Sequence, residues 1–410
     1  MEQNQTLANQ KFIPIILGAS IGVYSTARSF YEAYGTISIT ISRALIGPIN
    51  HSVIVHSVIE PDMEEEMSLV SCLKEINKAY PGIPKIVIGS DDWQVEMVVS
   101  IRDQLQEEEW IIPYTTQDVL HRVIDKSKFY GLCEELGVDY PKFMTIKEEK
   151  AEDIDLPFQF PVIIKPTSRV QWEMVKFEGK KKVFTAQDRN EFNYIITIIR
   201  NAGYLEELII QEFIPGDDTA MHILTLYTDQ KGNTKMASFG QTLIEDHTPG
   251  GIGNPVAILT FRNDEVVEQA KKIVNHAGYT GFSNFDLKYD ERDGKYKFFE
   301  LNPRLGRSNY YVTVGKNNPV RYYVNEYVDQ KEMDYTVSDH EAIYTIVPKR
   351  LLLKSIKSVQ LRNKIKSLYR QGQAKNPMYY FSVEKNLKRI FYVTVATFNY
   401  YRKFKKYPPL

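Results

Sequence analysis

Two runs of alternating residues, Phe285-Asp286-Leu287-Lys288-Tyr289 and Phe298-Phe299-Glu300-Leu301-Asn302-Pro303-Arg304, flank Asp293-Gly294. Alternation of period two sends successive side chains to opposite faces of a strand. Asp-Gly between two such runs is a strong hairpin signal. Closing the hairpin sets Asp286 near Glu300 and Asn302, and Glu300, Asn302 and Arg304 share one face. Two carboxylates and an amide oxygen suit a hard cation such as Mg2+, which favours oxygen ligands and bridges nucleotide phosphates. Arg304 then stands beside the metal position, where an oxyanion can develop. The bland reading of the same residues is a polar strand face with a surface arginine.

At 410 residues the chain has room for two or three domains with substantial cores. Its ordinary composition excludes bulk disorder. Cys72 and Cys133 are too few for a disulfide framework and lack metal-type spacing, which points to a reducing interior. The N-terminus has no basic-then-apolar signal pattern, and no apolar run approaches the ~18 residues of a spanning helix. A cytoplasmic location is the expectation. The net charge of −1 conceals an asymmetry: residues 346–410 hold sixteen Lys or Arg and one acid, Glu384. An acidic body carries a basic tail.

Along the chain, Ile13–Gly18 reads as a buried strand ending at glycine, and Ala27–Gly35 as a helix with a glycine stop. Strand-like runs at 37–41, 53–55 and 85–88, with a helical stretch near 64–79, continue a parallel α/β pattern. Ligands of such sheets gather at the carboxyl ends of strands. Gly18-Ala19-Ser20 and Gly89-Ser90-Asp91-Asp92 fall at two such ends, so both are candidate substrate loops. From about Asp118 the texture changes. A helix carries Asp125-Lys126-Ser127-Lys128-Phe129-Tyr130, and a buried strand, Phe160–Lys165, ends in a lysine that needs an anionic partner, phosphate or structural carboxylate. The strand Glu207–Glu212 runs through Gln211-Glu212-Phe213-Ile214 into a Pro-Gly break, offering backbone groups to a planar base, with Asp217 and Asp218 beyond for ribose hydroxyls. Three further strands follow at 220–227, 235–244 and 256–259. A glycine-rich loop at 245–254 holds His247, read as a solvated loop histidine.

This order of elements resembles the ATP-grasp superfamily over roughly residues 10–330. The Phe-Asp…Glu-x-Asn-x-Arg hairpin is the most specific part. The resemblance implies an α/β and α+β fold: an N-terminal Rossmann-like domain (1–117), a central small domain (118–215), an antiparallel-sheet domain (216–335) and a basic extension (336–410). It implies ATP and Mg2+, with Lys126 and Lys165 on the α- and β-phosphates and the adenine at Gln211, Glu212, Phe213 and Ile214. Asp286, Glu300 and Asn302 then hold the metal, and Arg304 stabilises the acyl-phosphate and the tetrahedral intermediate. One departure stands out. The family's glycine-rich flap is replaced by residues 166–182 with a single glycine, Gly179, leaving Arg169, Lys176 or Lys180 to cover the phosphates by charge.

Within the superfamily, Leu17-Gly18…Ala27-Arg28-Ser29-Phe30…Glu32-Ala33-Tyr34-Gly35 and Leu301–Tyr311 are similar to the D-aspartate ligases of Gram-positive cell-wall synthesis. That similarity implies a carboxylate–amine ligase joining D-aspartate, through its β-carboxyl, to a lysine ε-amine of a peptidoglycan precursor. Arg28 and Arg307 are candidate carboxylate clamps, with Asp91 and Ser308 as further substrate residues; an ordinary ion pair is the alternative for each arginine. Other readings are an ATP-grasp ligase for a different pair, or a non-catalytic nucleotide-binding regulator at a membrane. In the tail, lysines interleave with apolar and aromatic residues at helical spacing. That pattern suits an anionic membrane surface, with packing on the acidic body as the second reading and nucleic acid the weakest.

Overall fold

A computed structural model of the protein describes residues 2–105, 107, 109–147, 151–167, 169–181 and 183–409, without the side chains of 2–4, 169, 170 and 173. The chain forms two compact units, one of residues 1–129, 217–287 and 300–410, the other of 130–216 and 288–299.

In the first unit, a five-stranded parallel sheet runs in the order Val55–Ile59, Ser38–Ser42, Ile13–Leu17, Lys85–Ile88, Trp110–Ile111. The chain builds outward from Ile13–Leu17 on one side, then returns to build on the other. Its switch point therefore lies between Ile13–Leu17 and Lys85–Ile88, where open α/β sheets bind ligands. Gly18 and Ser90, at those two strand ends, are tied by Ser90 Oγ donating to the Leu17 carbonyl at 2.8 Å. The following helix, Ile21–Tyr34, starts well before the Ala27 expected from the sequence, because Ser20 caps it by accepting from Val23 N–H. It stops at Gly35 in the left-handed region, φ +66°. The helix expected around Lys126 is two helices, Gln117–Ile124 and Lys126–Leu136. Asp125 between them has extended backbone and caps the second by accepting from Lys128 N–H at 2.9 Å.

The same unit contains a largely antiparallel eight-stranded sheet, in the order Lys295–Asn302, Gly281–Asp290, Met221–Thr228, Thr234–Glu245, Pro255–Phe261, Ile343–Thr345, Ala374–Lys375, with Thr336–Val337 beside Thr234–Glu245. The tip of its first hairpin, 288–299, belongs to the second unit. The basic extension is thus no appendage, since it supplies three short strands to this sheet and Leu352, Ile356, Ile365, Tyr400 and Phe404 to the main core. Arg389, 1 % exposed, lies 4.1 Å from the Tyr24 ring centre, donates to the carbonyls of Pro48 and Asn50, and pairs with Glu384 at 3.4 Å. Burying a guanidinium is costly unless it is paired and hydrogen-bonded. The tail's only acid, Glu384, supplies the paired charge and also accepts from Tyr24 and Ser52 hydroxyls and Val53 N–H. No helix among the described residues is long and apolar enough to cross a membrane.

The second unit is a four-stranded antiparallel sheet, Phe143–Ile146, Leu208–Glu212, Val162–Pro166, Phe184–Ala186, with the helix Arg189–Asn201. Val162, Ile164, Leu208 and Ile210 alternate inward onto Phe192, Ile195 and Ile199 of that helix. The same alternation sends Lys165 and Gln211 to the other face.

Two residues of the first unit depart from their sequence reading. His247 is no solvated loop residue, because its Nε2 lies 2.8 Å from Asp218 Oδ1. Asp218 accepts from Glu245 N–H as well, at 2.9 Å, so both its oxygens anchor the 245–254 loop instead of facing a ribose. The hydrogen bond to Asp218 raises the His247 pKa above the usual imidazole value, against an opposing burial effect. A raised folded-state value means that the pairing stabilises fully below the unfolded pKa of about 6.5, and that this stability fades as pH rises through the folded value. Melting temperature in the wild type should therefore fall upward of about pH 6.5, and His247→Gln should flatten that decline. Identical slopes in the two proteins would remove the pairing's role.

Candidate active site

The hairpin of the first unit delivers its polar face as the alternation requires. Asn302 Nδ2 donates to Asp286 Oδ2 at 3.2 Å and to the Asn284 carbonyl at 3.4 Å. Asp286 and Glu300 share a side-chain hydrogen bond. Lys126, the first residue of its helix, places Nζ 2.9 Å from Glu300 Oε2. Past the strand end the chain turns tightly, with Arg304 N–H on the Asn302 carbonyl at 2.9 Å. That turn carries Arg304 Nη2 to 3.3 Å from Asn302 Oδ1 and Nε to 2.8 Å from Asp92 Oδ1. Lys126, Glu300, Asp286, Asn302, Arg304 and Asp92 thus form one continuous polar chain.

Its electrostatics are those of a site short of positive charge. Loss of water, reinforced by the Glu300 carboxylate, pushes the Asp286 pKa well above the usual carboxylate range. Asp92 is raised too, by burial first, with Arg304 opposing. Lys126 is raised chiefly by Glu300. Two carboxylates this close cannot both ionise without a cation between them. Lys126 offsets one charge, and a divalent ion would offset the other. The oxygen donors of Asp286, Glu300 and Asn302 therefore fit Mg2+. The Asn302 amide turns its nitrogen to Asp286, and a half-turn of the side chain exchanges that for its oxygen.

Asp92 was not singled out from the sequence, where attention fell on its neighbour Asp91. The signal was there, in a pair of acids at a strand end beside the switch point. Asp91 is exposed and serves as N-cap of the helix Asp92–Ser100, so the structure brings Asp92, not Asp91, to Arg304. Arg28 is not available as a carboxylate clamp. Only 6 % exposed, it bonds Glu32 at 2.8 Å and the carbonyls of Pro377 and Tyr379, with its guanidinium 4.3 Å from the Phe381 ring centre. It fastens the extension to the helix Ile21–Tyr34. Ser308 is buried in the turn leading into the helix Tyr310–Val314. Arg307 is exposed and lines a cavity of about 410 Å³.

In the second unit, Lys165 Nζ donates to Gln211 Oε1 at 2.6 Å, and the same oxygen accepts from Tyr130 at 3.2 Å. Glu212 is engaged on both sides. Its N–H bonds the Lys142 carbonyl, its Oε1 accepts from Lys142 N–H, and Oε2 lies 3.3 Å from Arg292. Beyond it, the backbone N–H groups of Phe213 and Ile214 make no hydrogen bond among the described residues. Ile214 is buried, and Lys288 lies 5.4 Å from the Phe213 ring centre. Of the flap cations, Lys180 donates to the Val175 carbonyl of its own segment, and Lys176 is exposed. Ser168, Lys182 and the Arg169 side chain fall outside the described residues.

The family model for the ATP-binding domain of the carbamoyl-phosphate synthase L chain matches residues 125–313, the stretch from Lys126 to past Arg304. The D-aspartate ligase of Enterococcus faecium (strain Aus0004) is 34 % identical over 414 residues, covering 98 % of both chains. Among solved structures, the N5-carboxyaminoimidazole synthetase of Staphylococcus aureus superposes with a TM-score of 0.58 at 13 % identity, over 87 % of this chain and 86 % of that one. The L-amino acid ligase of Bacillus licheniformis gives 0.55 at 15 % identity, over 77 % and 74 %. These structural likenesses bear on the fold, and that fold is ATP-grasp. With 34 % identity over 98 % of both chains, the chain belongs to the D-aspartate ligase family of ATP-grasp proteins and is an ATP-dependent ligase.

Proposed function

We propose that the protein joins the β-carboxyl of D-aspartate to the lysine ε-amine of a peptidoglycan precursor, through an acyl-phosphate. Similarity to a named D-aspartate ligase along the whole chain supports the donor. The observation that carries the chemistry is Arg304 standing beside the Asp286–Glu300 pair, because a protein that only binds nucleotide has no use for a guanidinium there. Lys126 and Lys165 serve the ATP phosphates. The free N–H groups of Phe213 and Ile214, with Gln211 and Glu212 leading into them, serve the base. Asp286, Glu300 and Asn302 would hold Mg2+, which supplies neutralisation of phosphate charge when bound.

In the first step a substrate carboxylate oxygen attacks the γ-phosphorus of ATP and ADP leaves. Lys165 offsets charge on the phosphoryl oxygens. The amine then attacks the acyl carbon, the oxyanion collapses, and inorganic phosphate departs as the amide forms. Arg304 has five N–H donors. Asp92 orients the group through Nε, and once Asn302 turns its oxygen from Arg304 Nη2 to the metal side, the remaining N–H bonds are left for the oxyanion. One such donor in a dry site is worth roughly 2.7–4 kcal/mol, or about 10²–10³ in turnover.

The test is phosphate release from Mg-ATP with D-aspartate, L-aspartate, D-asparagine or glycine, each with and without a muramyl-pentapeptide. Release should require D-aspartate and the acceptor together. Arg304→Ala should lower kcat by about 10²–10³ while ATP affinity stays near wild type. Release with a different pair would replace the substrate assignment. No release with any pair, ATP still binding, would leave a nucleotide-binding regulator.

The reading extends to location, in the cytoplasm at the inner face of the membrane. The helix Leu387–Lys406 turns Arg389, Val393, Tyr400 and Phe404 inward and leaves Leu387, Phe391, Val395 and Phe398 exposed along its other side. Lys388, Arg402, Lys405 and Lys406 are also exposed. An apolar stripe edged by cations suits an anionic lipid surface. Sedimentation with anionic phosphatidylglycerol vesicles, but not with neutral phosphatidylcholine ones, should be lost in the double variant Phe391→Ser, Phe398→Ser. Equal sedimentation of wild type and variant would sink the membrane contact.

A further inference from the structure

The inward side of the Leu387–Lys406 helix does more than fill the core. Between its Thr397, Tyr400 and Lys403 and the opposite wall of Ser20, Gly47 and Arg307 lies the cavity of about 410 Å³, well within the range of small-molecule sites. Every lining residue belongs to the first unit. Ser20 caps the helix that follows the first strand, at the carboxyl end of the parallel sheet and beside its switch point. Arg307 lies three positions along the chain from Arg304.

The wall is held in register by close packing. A methyl group on Gly22 would come within 3.0 Å of the Arg307 Cα and carbonyl oxygen. The backbone under Arg307 is therefore fixed against the Ile21–Tyr34 helix. Its guanidinium makes no hydrogen bond or ion pair among the described residues. It does lie near enough to Tyr344 and Tyr400 to oppose the rise that burial imposes on their hydroxyl pKa values. Lys403 faces it from the extension, with Nζ 3.0 Å from Asp246 Oδ2 and 4.8 Å from the Tyr400 ring centre. Two cations and one carboxylate leave the cavity with an excess of one positive charge. Hydroxyls of Ser20 and Thr397 stand ready as further donors.

We infer that this cavity receives a carboxylate of the ligase's substrate, with Arg307 as its direct partner and Lys403 as the second cation. The basic extension is then a wall of the substrate site and not only a scaffold. The inference rests on the ligase reading above. Such a carboxylate has two possible sources: the group of the amino-acid donor that is not activated, or a carboxylate of the peptide acceptor. Kinetics separate them.

The experiment measures KM for donor, acceptor and ATP in wild type, Arg307→Met, Lys403→Met and Thr397→Leu. The last fills the cavity without touching either cation, so it reports even if loss of the Lys403–Asp246 pair loosens the fold. All three should raise KM at least tenfold for one carboxylate-bearing substrate, the same one each time, with KM for ATP changed less than twofold. A donor effect assigns the cavity to the donor, and an acceptor effect assigns it to the acceptor. In an active enzyme, unmoved KM values for both substrates, or a rise for ATP as large as for either, would overturn the inference and leave the ligase reading standing. A wild-type protein inactive with every pair would instead bring down the ligase reading, and this inference with it.

Discussion

Asp286 and Glu300 face each other across a hairpin, close enough that both cannot ionise without a cation beside them. Burial and mutual repulsion raise Asp286 far above a normal carboxylate. The surrounding structure is organised by the need for positive charge at that point. Lys126 arrives from the start of a helix, Arg304 from a tight turn just past the strand end, and Mg2+ suits the oxygens that remain. Asp92 belongs to the same arrangement. It comes from the first turn of the helix Asp92–Ser100, beside the switch point of the parallel sheet, and holds Arg304 in place. A guanidinium fixed in advance loses little when charge develops beside it, which is the physical basis of oxyanion stabilisation.

The features that were legible in the sequence are those that depend on local rules. Period-two alternation and an Asp-Gly turn place Asp286, Glu300 and Asn302 together without any tertiary knowledge. The strand Lys85–Ile88 stands where the apolar run ended. What failed to show was decided by distant partners. Arg28 is occupied by carbonyls 349 and 351 residues further along the chain. Asp218 is claimed by an amide and an imidazole 27 and 29 residues away. The difference between Asp91 and Asp92 is one residue of helix phase, finer than a sequence pattern resolves.

The basic tail shows why composition alone misleads. Sixteen cations against one acid suggest an anionic membrane surface before packing on the body. The one acid, Glu384, nevertheless sits in the interior with Arg389, and the tail's apolar residues complete the main core. A single helix then carries two faces of different chemistry. Its inner side adjoins Arg307 and the cavity, and its outer side presents aromatics among lysines. On the function proposed above, the two faces would have separate uses, one for holding substrate and the other for staying near lipid.

On the proposed function, the Asp286–Glu300 pair exists to hold a divalent ion. The most direct test is Mn2+ binding in the presence of ADP, followed by the paramagnetic resonance of the free ion, in wild type, Asp286→Asn and Glu300→Gln. The account predicts saturable binding that weakens at least tenfold in either variant. It also predicts that Asp286→Asn melts no lower than wild type, because one of two opposed charges is gone. Unchanged Mn2+ affinity in both variants would contradict it.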